Sequence, residues 1–414
     1  MLDHIGPGTQ LIVPLAAGEP VGLLDAIEAA ADTLDGVRVH QMHALVERGY
    51  LDGRYGDRLR HVSYFLSPVT RKHLHSGGID FVPSHFSEVP LVLRHNCGQG
   101  IILAAASPPD RHGYFSLGTN ADYVSSFLGR WPVFLEANEQ MPRTFGRNSV
   151  HVSQVLGWSL VDRPLPEVHP SQPDEIDTAI ARLVAERVPD RATIQAGIGS
   201  IPNAVLASLS DHRDLGIHTE LMSDGVIDLI ESGVVNGVHK VRRPNRSVTT
   251  FALGTRRLYD FLHENPAIDF LPVEFVNDPR VISQNPLVVS INATTEVDLL
   301  GQVASETIGG RYYSGSGGQA DFARGAMFSD GGQGFLVTRS MTSDGVTSKI
   351  VPQLTRGSVV TTLKNTVDKV VTEWGVAELR GATLRQRAMR LTEIAHPDHR
   401  DRLRRDAHEL GYLG

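Results

Sequence analysis

Ala192-Thr193-Ile194-Gln195-Ala196-Gly197-Ile198-Gly199-Ser200-Ile201-Pro202 is the stretch whose reading decides the fold. Its first four residues read as a short buried strand. Two glycines follow, and then a proline suited to the first turn of a helix that extends to about residue 209. A strand that feeds a helix through a tight glycine turn is half of a parallel α/β unit. Working outward, residues 174–188 read as an amphipathic helix just upstream. The chain begins in the same manner. Gln10-Leu11-Ile12-Val13-Pro14-Leu15 reads as a buried strand, and Leu23, Leu24, Ile27, Ala30 and Leu34 recur at helical spacing. Gly36-Val37-Arg38-Val39-His40 is the next strand. The expected fold class is therefore α/β, built on open parallel sheets.

The pattern continues at Ile101–Ala106, which runs into the turn Ser107-Pro108-Pro109-Asp110, and at Val133–Asn138. Residues 287–291 and 359–362 read as further strands, residues 330–334 as a hairpin turn, and residues 383–394 as an arginine-rich last helix. The segment 162–170 holds Pro164, Pro166 and Pro170 and is the strongest linker candidate. A length of 414 residues fits two or three domains. The division expected from the linker is 1–171 and 172–414.

Bulk properties exclude several classes. Hydrophobic residues make up 41% and charged residues 21%, which is ordinary globular composition. A net charge of −8 argues against nucleic acid as a partner. No run approaches the length of a membrane helix, and the first residues lack a basic, apolar leader. The only cysteine, Cys97, cannot form an internal disulfide, so a reducing cytoplasmic setting is expected. With His95 nearby it could be a thiol nucleophile, but a structural cysteine is the simpler reading.

Three segments could carry chemistry. The turn Gly197-Ile198-Gly199-Ser200-Ile201 could bring backbone N–H groups to an anion at a helix start, or be an ordinary tight turn. It has Ala204 where a dinucleotide fingerprint has its third glycine. In His218-Thr219-Glu220-Leu221-Met222-Ser223-Asp224-Gly225, Glu220 stands at the end of a short strand before a turn. Ligands of open α/β sheets collect at such ends, although a lone acid is more commonly solvated. Ser314-Gly315-Ser316-Gly317-Gly318-Gln319 could form a nest of N–H donors for an oxyanion, or a surface loop. Arg143 is a plausible anion contact, with a salt bridge as its alternative. His40 with His43, and His396 with His399, have metal-like spacing but no convincing third ligand, so surface histidines are expected and no metal.

Taken together, Gln195–Val205 in sequence, His218-Thr219-Glu220 and Ser223-Asp224-Gly225 closely resemble the acetyl-CoA hydrolase/transferase family, a class I CoA-transferase group that includes 4-hydroxybutyrate CoA-transferases. Phe275-Val276-Asn277-Asp278-Pro279-Arg280, Glu296-Val297-Asp298-Leu299, residues 314–326, Thr372-Glu373-Trp374-Gly375 and Ile394-Ala395-His396-Pro397 extend the match. So do Ala17-Gly18-Glu19-Pro20, residues 61–65 and residues 141–146 in the first half. The resemblance implies two related α/β domains with the active site between them. It implies that Glu220 becomes a glutamyl-CoA thioester. It also implies contacts to CoA from Gly197, Ile198, Gly199, Ser200 and Ile201, from Thr295 and Glu296, and from Gly317 and Gly318. Many relatives carry a small apolar pair where this chain has Thr294-Thr295, which bears on the acyl pocket.

The expected activity is CoA transfer between a short-chain acyl-CoA and a carboxylic acid such as 4-hydroxybutyrate or acetate, by ping-pong kinetics and without a metal. An acyl-CoA hydrolase on the same scaffold and a non-catalytic CoA-binding protein are the alternatives. A dinucleotide oxidoreductase fits less well. Small-molecule substrates are the expected partners, with no membrane, and a homodimer is the default closed assembly.

Overall fold

The computed structural model describes residues 1–413. Its backbone separates into two compact units, one formed by Met1–His169, Leu221–Asp224 and Val248–Val276, the other by Pro170–Glu220, Gly225–Ser247 and the chain from Asn277 onward. The change at His169 falls inside the proline-rich segment. That segment has no regular structure, because each proline removes a backbone donor.

The first unit is built on a seven-stranded, wholly parallel sheet. Its strands are β1 (Gln10–Val13), β2 (Val37–Gln41), β3 (Leu59–Ser63), β4 (Asp80–Phe81), β5 (Ile101–Ala106), β6 (Val133–Asn138) and β7 (Gly157–Val161). They lie in the order β7-β6-β5-β1-β2-β3-β4. The continuous apolar run of β5 is buried along its whole length, as a central parallel strand with both faces covered requires. Ile12, Ile102, Ala104 and Leu135 join Phe86, Val89 and Leu93 in one core.

One expectation in this unit is corrected. His40 lies in the core, not at the surface: its Nδ1 pairs with the Tyr64 hydroxyl at 2.8 Å and its Nε2 with Gln10 Oε1 at 2.7 Å. Both faces of β2 are covered at this point, where Val39, His40 and Gln41 are all buried. Arg143 takes the salt-bridge alternative. It donates to the carbonyls of Tyr114, at 3.1 Å, and Pro108, and lies 3.8 Å from Asp110. Cys97 is buried beside His40, with 3.6 Å from sulfur to Nε2, and burial pushes its thiol up to about 11.

The second unit holds a six-stranded sheet. Its strands are β8 (Thr193–Ala196), β9 (Gly216–Ile217), β10 (Val288–Ala293), β11 (Gln333–Val337), β12 (Lys369–Thr372) and β13 (Gly375–Glu378), in the order β9-β8-β10-β11-β12-β13. All neighbours are parallel except the last pair. Asp174 caps the helix Glu175–Ala185 by accepting from the Asp177 N–H at 3.0 Å. Arg339 then ties Asp174 at 2.8 Å and the buried Asp177 at 2.7 Å.

Residues 330–334 do not form a hairpin. They join the helix Gln319–Phe328 to β11, which runs parallel to β10. Glycine pairs suit a helix C-terminus as well as a hairpin, and the parallel order decides between them. Residues 359–362 form no strand. Only an isolated bridge from Thr362 to Val303 remains. The helix Leu384–Glu393 is followed by another, Pro397–Glu409. His396 caps that second helix, accepting from the Asp398 N–H at 3.4 Å, which accounts for its spacing from His399.

Candidate active site

The site grows from the C-terminal ends of β8 and β9, at the edge of the second sheet. β9 is short and pairs only with β8, through Thr193 opposite Gly216 and Ile194 opposite Ile217. Beyond it the chain stays bound to β8. The His218 N–H donates to the Ile194 carbonyl at 3.1 Å, and the Thr219 hydroxyl donates to the Ala196 carbonyl at 3.3 Å. Both residues are buried, and Glu220 follows them, half-buried.

Two donors address the Glu220 carboxyl. The Asn277 side-chain amide donates to its Oε2 at 2.7 Å, and the backbone N–H of Gly318 donates to it as well. Gly318 stands immediately before the helix Gln319–Phe328, and Gly317 turns the chain into it with a φ of 52°. The approach is so close that only glycine fits: a Cβ on residue 318 would lie 2.0 Å from Glu220 Oε2 and 2.2 Å from Asn277 Nδ2. Burial raises the Glu220 carboxyl to about 7 from an ordinary 4.5, and the Asn277 and Gly318 donors pull against that rise. The result is a fixed carboxylate with limited solvation, which is what a carboxylate nucleophile needs.

The glycine turn lies on the adjacent strand. The Gly197 N–H donates to the Ile291 carbonyl at 2.8 Å. A Cβ on Gly197 would sit 2.9 Å from Asn292 Oδ1. That amide is itself fixed by a reciprocal pair with Gln195, both bonds at 3.0 Å. Gly199 has a φ of 134°, a conformation that side chains rarely adopt. Ile198 is exposed, while Ser200 and the buried Ile201 open the helix Ser200–Ala207. The turn therefore presents a helix start next to the strand that carries Glu220.

Thr295 and Glu296 belong to a different knot. The Thr295 hydroxyl is within bonding distance of the carbonyls of Ala304 (2.7 Å) and Thr307 (2.9 Å). The Glu296 carboxylate accepts from the Thr355 N–H at 2.9 Å, from the Thr355 hydroxyl and from the Ser358 hydroxyl at 3.3 Å. The Thr294 hydroxyl donates to Ala304 O at 2.7 Å. These side chains bind loops together and touch neither Glu220 nor the glycine turn through those bonds. Among the described residues no group of three or more His, Cys, Asp or Glu is arranged for a metal.

Asn277 was given no role by sequence reasoning. It sits in the quoted segment before Asp278, whose side chain caps the helix Pro279–Ile282. An amide in a capping motif reads as local structure, and its reach of 57 positions back to Glu220 has no local signal.

Comparison with known proteins agrees with this geometry. Residues 1–165 match the family model for the acetyl-CoA hydrolase/transferase N-terminal domain, and residues 254–407 match that for the C-terminal domain. The chain is 44% identical to the succinyl-CoA:cyclohexane-1-carboxylate CoA transferase of Geobacter metallireducens, over 98% of this chain and 93% of that protein. It is 40% identical to the 4-hydroxybutyrate coenzyme A transferase of Clostridium kluyveri, over 95% of this chain and 92% of that one. The crystal structure of a 4-hydroxybutyrate CoA-transferase from Porphyromonas gingivalis superposes with a TM-score of 0.81 at 36% identity, covering 99% of this chain and 95% of the other. Two domain matches in order, near-complete coverage and a buttressed glutamate converge: the chain belongs to the acetyl-CoA hydrolase/transferase family and is a CoA-transferase.

Proposed function

We propose that the chain moves CoA between a short-chain acyl-CoA and a carboxylic acid by a ping-pong route through a thioester on Glu220. The observation that carries this reading is the pair of donors, Asn277 and Gly318, on the carboxyl of a desolvated glutamate. In the first step a Glu220 oxygen bonds to the acyl carbonyl carbon, and CoA leaves as its thiolate. The thiolate then attacks the glutamyl carbonyl carbon of the resulting anhydride. A C–S bond forms, and the donor acid leaves with the electron pair of the broken C–O bond. The acceptor carboxylate attacks the glutamyl thioester and releases the thiolate. The thiolate takes up the acceptor acyl group, and Glu220 returns to a carboxylate. Each attack places negative charge on a carbonyl oxygen. The Asn277 and Gly318 N–H groups stand where an oxyanion on the glutamyl carbon would accept them.

In this reading Gly197, Ile198, Gly199, Ser200 and Ile201 meet the anionic part of CoA through free N–H groups at the helix start. Gly317 and Gly318 border the reacting thioester. Thr295 and Glu296 shape the CoA channel by fixing the loops around residues 304–307 and 355–358. Domains of 1–171 and 172–414 are part of the same reading, with the family models matching inside them at 1–165 and 254–407. No helix among the described residues is long and apolar enough to cross a membrane. A cytoplasmic homodimer that needs no metal completes the proposal.

The acyl group is open among acetate, butyrate, 4-hydroxybutyrate, succinate and itaconate. The test is a matrix of acyl-CoA donors against carboxylate acceptors, with Glu220→Gln as control and mass spectrometry of the Glu220 peptide after donor alone. Acceptor-dependent acyl exchange and a CoA adduct on that peptide are expected. Release of CoA that ignores the acceptor would make the enzyme a hydrolase.

A further inference from the structure

We propose that Lys240 is a positioning residue that holds the strand end carrying Glu220, an inference that rests on Glu220 being the nucleophile. β9 is an edge strand, and on one side it is bound to β8 through the Ala192 and Ile194 carbonyls, with Thr219 reaching the Ala196 carbonyl just beyond. Among the described residues no strand pairs with its other side, where only Leu215, just before it, bridges to Val235. There the Lys240 side chain, only 4% exposed, lies across β9 and donates from Nζ to the Ile217 carbonyl at 2.7 Å and to the Arg246 carbonyl at 2.7 Å. The Ile217 carbonyl is the last of β9 and precedes His218-Thr219-Glu220.

Gly216 fits this arrangement. A Cβ on residue 216 would lie 2.7 Å from Lys240 Cγ and 2.8 Å from Cδ, so the lysine stem passes over the strand where a side chain would stand. A buried lysine nitrogen requires hydrogen-bond partners of its own. Here two backbone carbonyls serve, one of them on the segment that ends in the nucleophile. Lys240 contacts neither Glu220 nor its two donors through these bonds. The two bonds act on the reaction through backbone position.

The test uses the full-length enzyme and acyl-CoA without acceptor. The rate of adduct formation on the Glu220 peptide is measured by rapid quench and mass spectrometry, alongside the CoA dissociation constant and the thermal midpoint. Lys240→Met keeps the apolar stem and removes both bonds. Adduct formation is expected to slow by about tenfold or more, since sub-ångström misplacement of a reacting group has effects of that order. CoA binding is expected to stay within about twofold of the wild type, because the glycine turn on β8 is untouched. Added propylamine is expected to restore part of the rate in Lys240→Ala, saturably. A Lys240→Met enzyme that reacts at the wild-type rate overturns the proposal. So does a loss that only tracks the fraction unfolded. Should Lys240→Met fail to fold, Gly216→Ala displaces the stem more gently, and an unchanged adduct rate there is equally fatal. A wild-type enzyme that never forms the adduct removes the nucleophile assignment itself, and with it any role for Lys240 in the chemistry.

Discussion

Gly318→Ala tests the site with a single methyl group. The backbone of Gly318, with φ −101° and ψ 7°, is open to alanine, so no conformational strain is introduced. The steric demand is severe. The new Cβ would stand 2.0 Å from Glu220 Oε2 and 2.2 Å from Asn277 Nδ2. Non-bonded carbon contacts are comfortable only at about 3.5 Å. The glutamate oxygen and the amide must therefore retreat by roughly 1–1.5 Å, together or in part. Such a retreat lengthens the 2.7 Å bond from Asn277 and draws the carboxylate away from its second donor. A displacement of about 1 Å at a reacting centre lowers the rate by roughly a hundredfold, or about 2.7 kcal/mol of barrier. The assay is initial-rate kinetics over a range of donor and acceptor concentrations, with adduct formation on the Glu220 peptide followed separately. The expected result is a fall in kcat and in adduct rate with the thermal midpoint little changed. A Gly318→Ala enzyme within threefold of the wild type would show that the carboxylate does not react from this position. Gly317→Ala is the contrast: with φ at 52° it introduces roughly 1–2 kcal/mol of backbone strain and so affects stability.

Four further outcomes are expected. In the proposed mechanism the nucleophile is the ionised form of a carboxyl that burial raises to about 7, so kcat/KM should climb with pH through an apparent pKa near 7 and plateau above it; a flat profile from pH 6 to 8 would contradict this. The same shift has a stability consequence. A folded-state value above the ordinary 4.5 contributes stability that is fully present below 4.5 and is lost as pH rises through about 7. Glu220→Gln should therefore be more stable than the wild type above pH 7, by at most about 3 kcal/mol and less because the side chain is half-buried, and the two should converge near pH 4 in urea titrations. Asn277→Asp replaces the donor 2.7 Å from Glu220 Oε2 with a second acid, so the ascending limb of the pH profile should move to higher pH and the rate at pH 7 should fall about a hundredfold. Cys97, with its thiol pushed up to about 11, should resist iodoacetamide in the native enzyme at pH 8 and react only on unfolding, and Cys97→Ala should retain full activity.

Much of this enzyme is local enough to be legible along the chain. The strand Ile101–Ala106 is an apolar run bounded by turn residues, and the turn at Gly197–Gly199 announces itself because a φ of 134° admits little else than glycine. The family and the identity of Glu220 as a candidate could be read from short motifs for the same reason. Other decisions depend on neighbours distant in sequence. The glycine pair at 331–332 suits a hairpin or a helix-to-strand turn equally, and the parallel pairing of β10 with β11 settled it. His40 was expected at the surface, and the sheet placed it between Gln10 and Tyr64. Thr295 and Glu296 lie in a motif, yet their polar atoms are taken up by carbonyls and N–H groups of loops far along the chain. Above all, the sequence by itself made Glu220 the candidate, because the motifs around it that resemble the family's are properties of a few adjacent residues. Only the tertiary structure decided its partners and its proton affinity. Asn277, Gly318 and the low-dielectric surroundings of Glu220 come from separate segments, and desolvation and hydrogen bonding depend on distances in space that no spacing along the chain encodes.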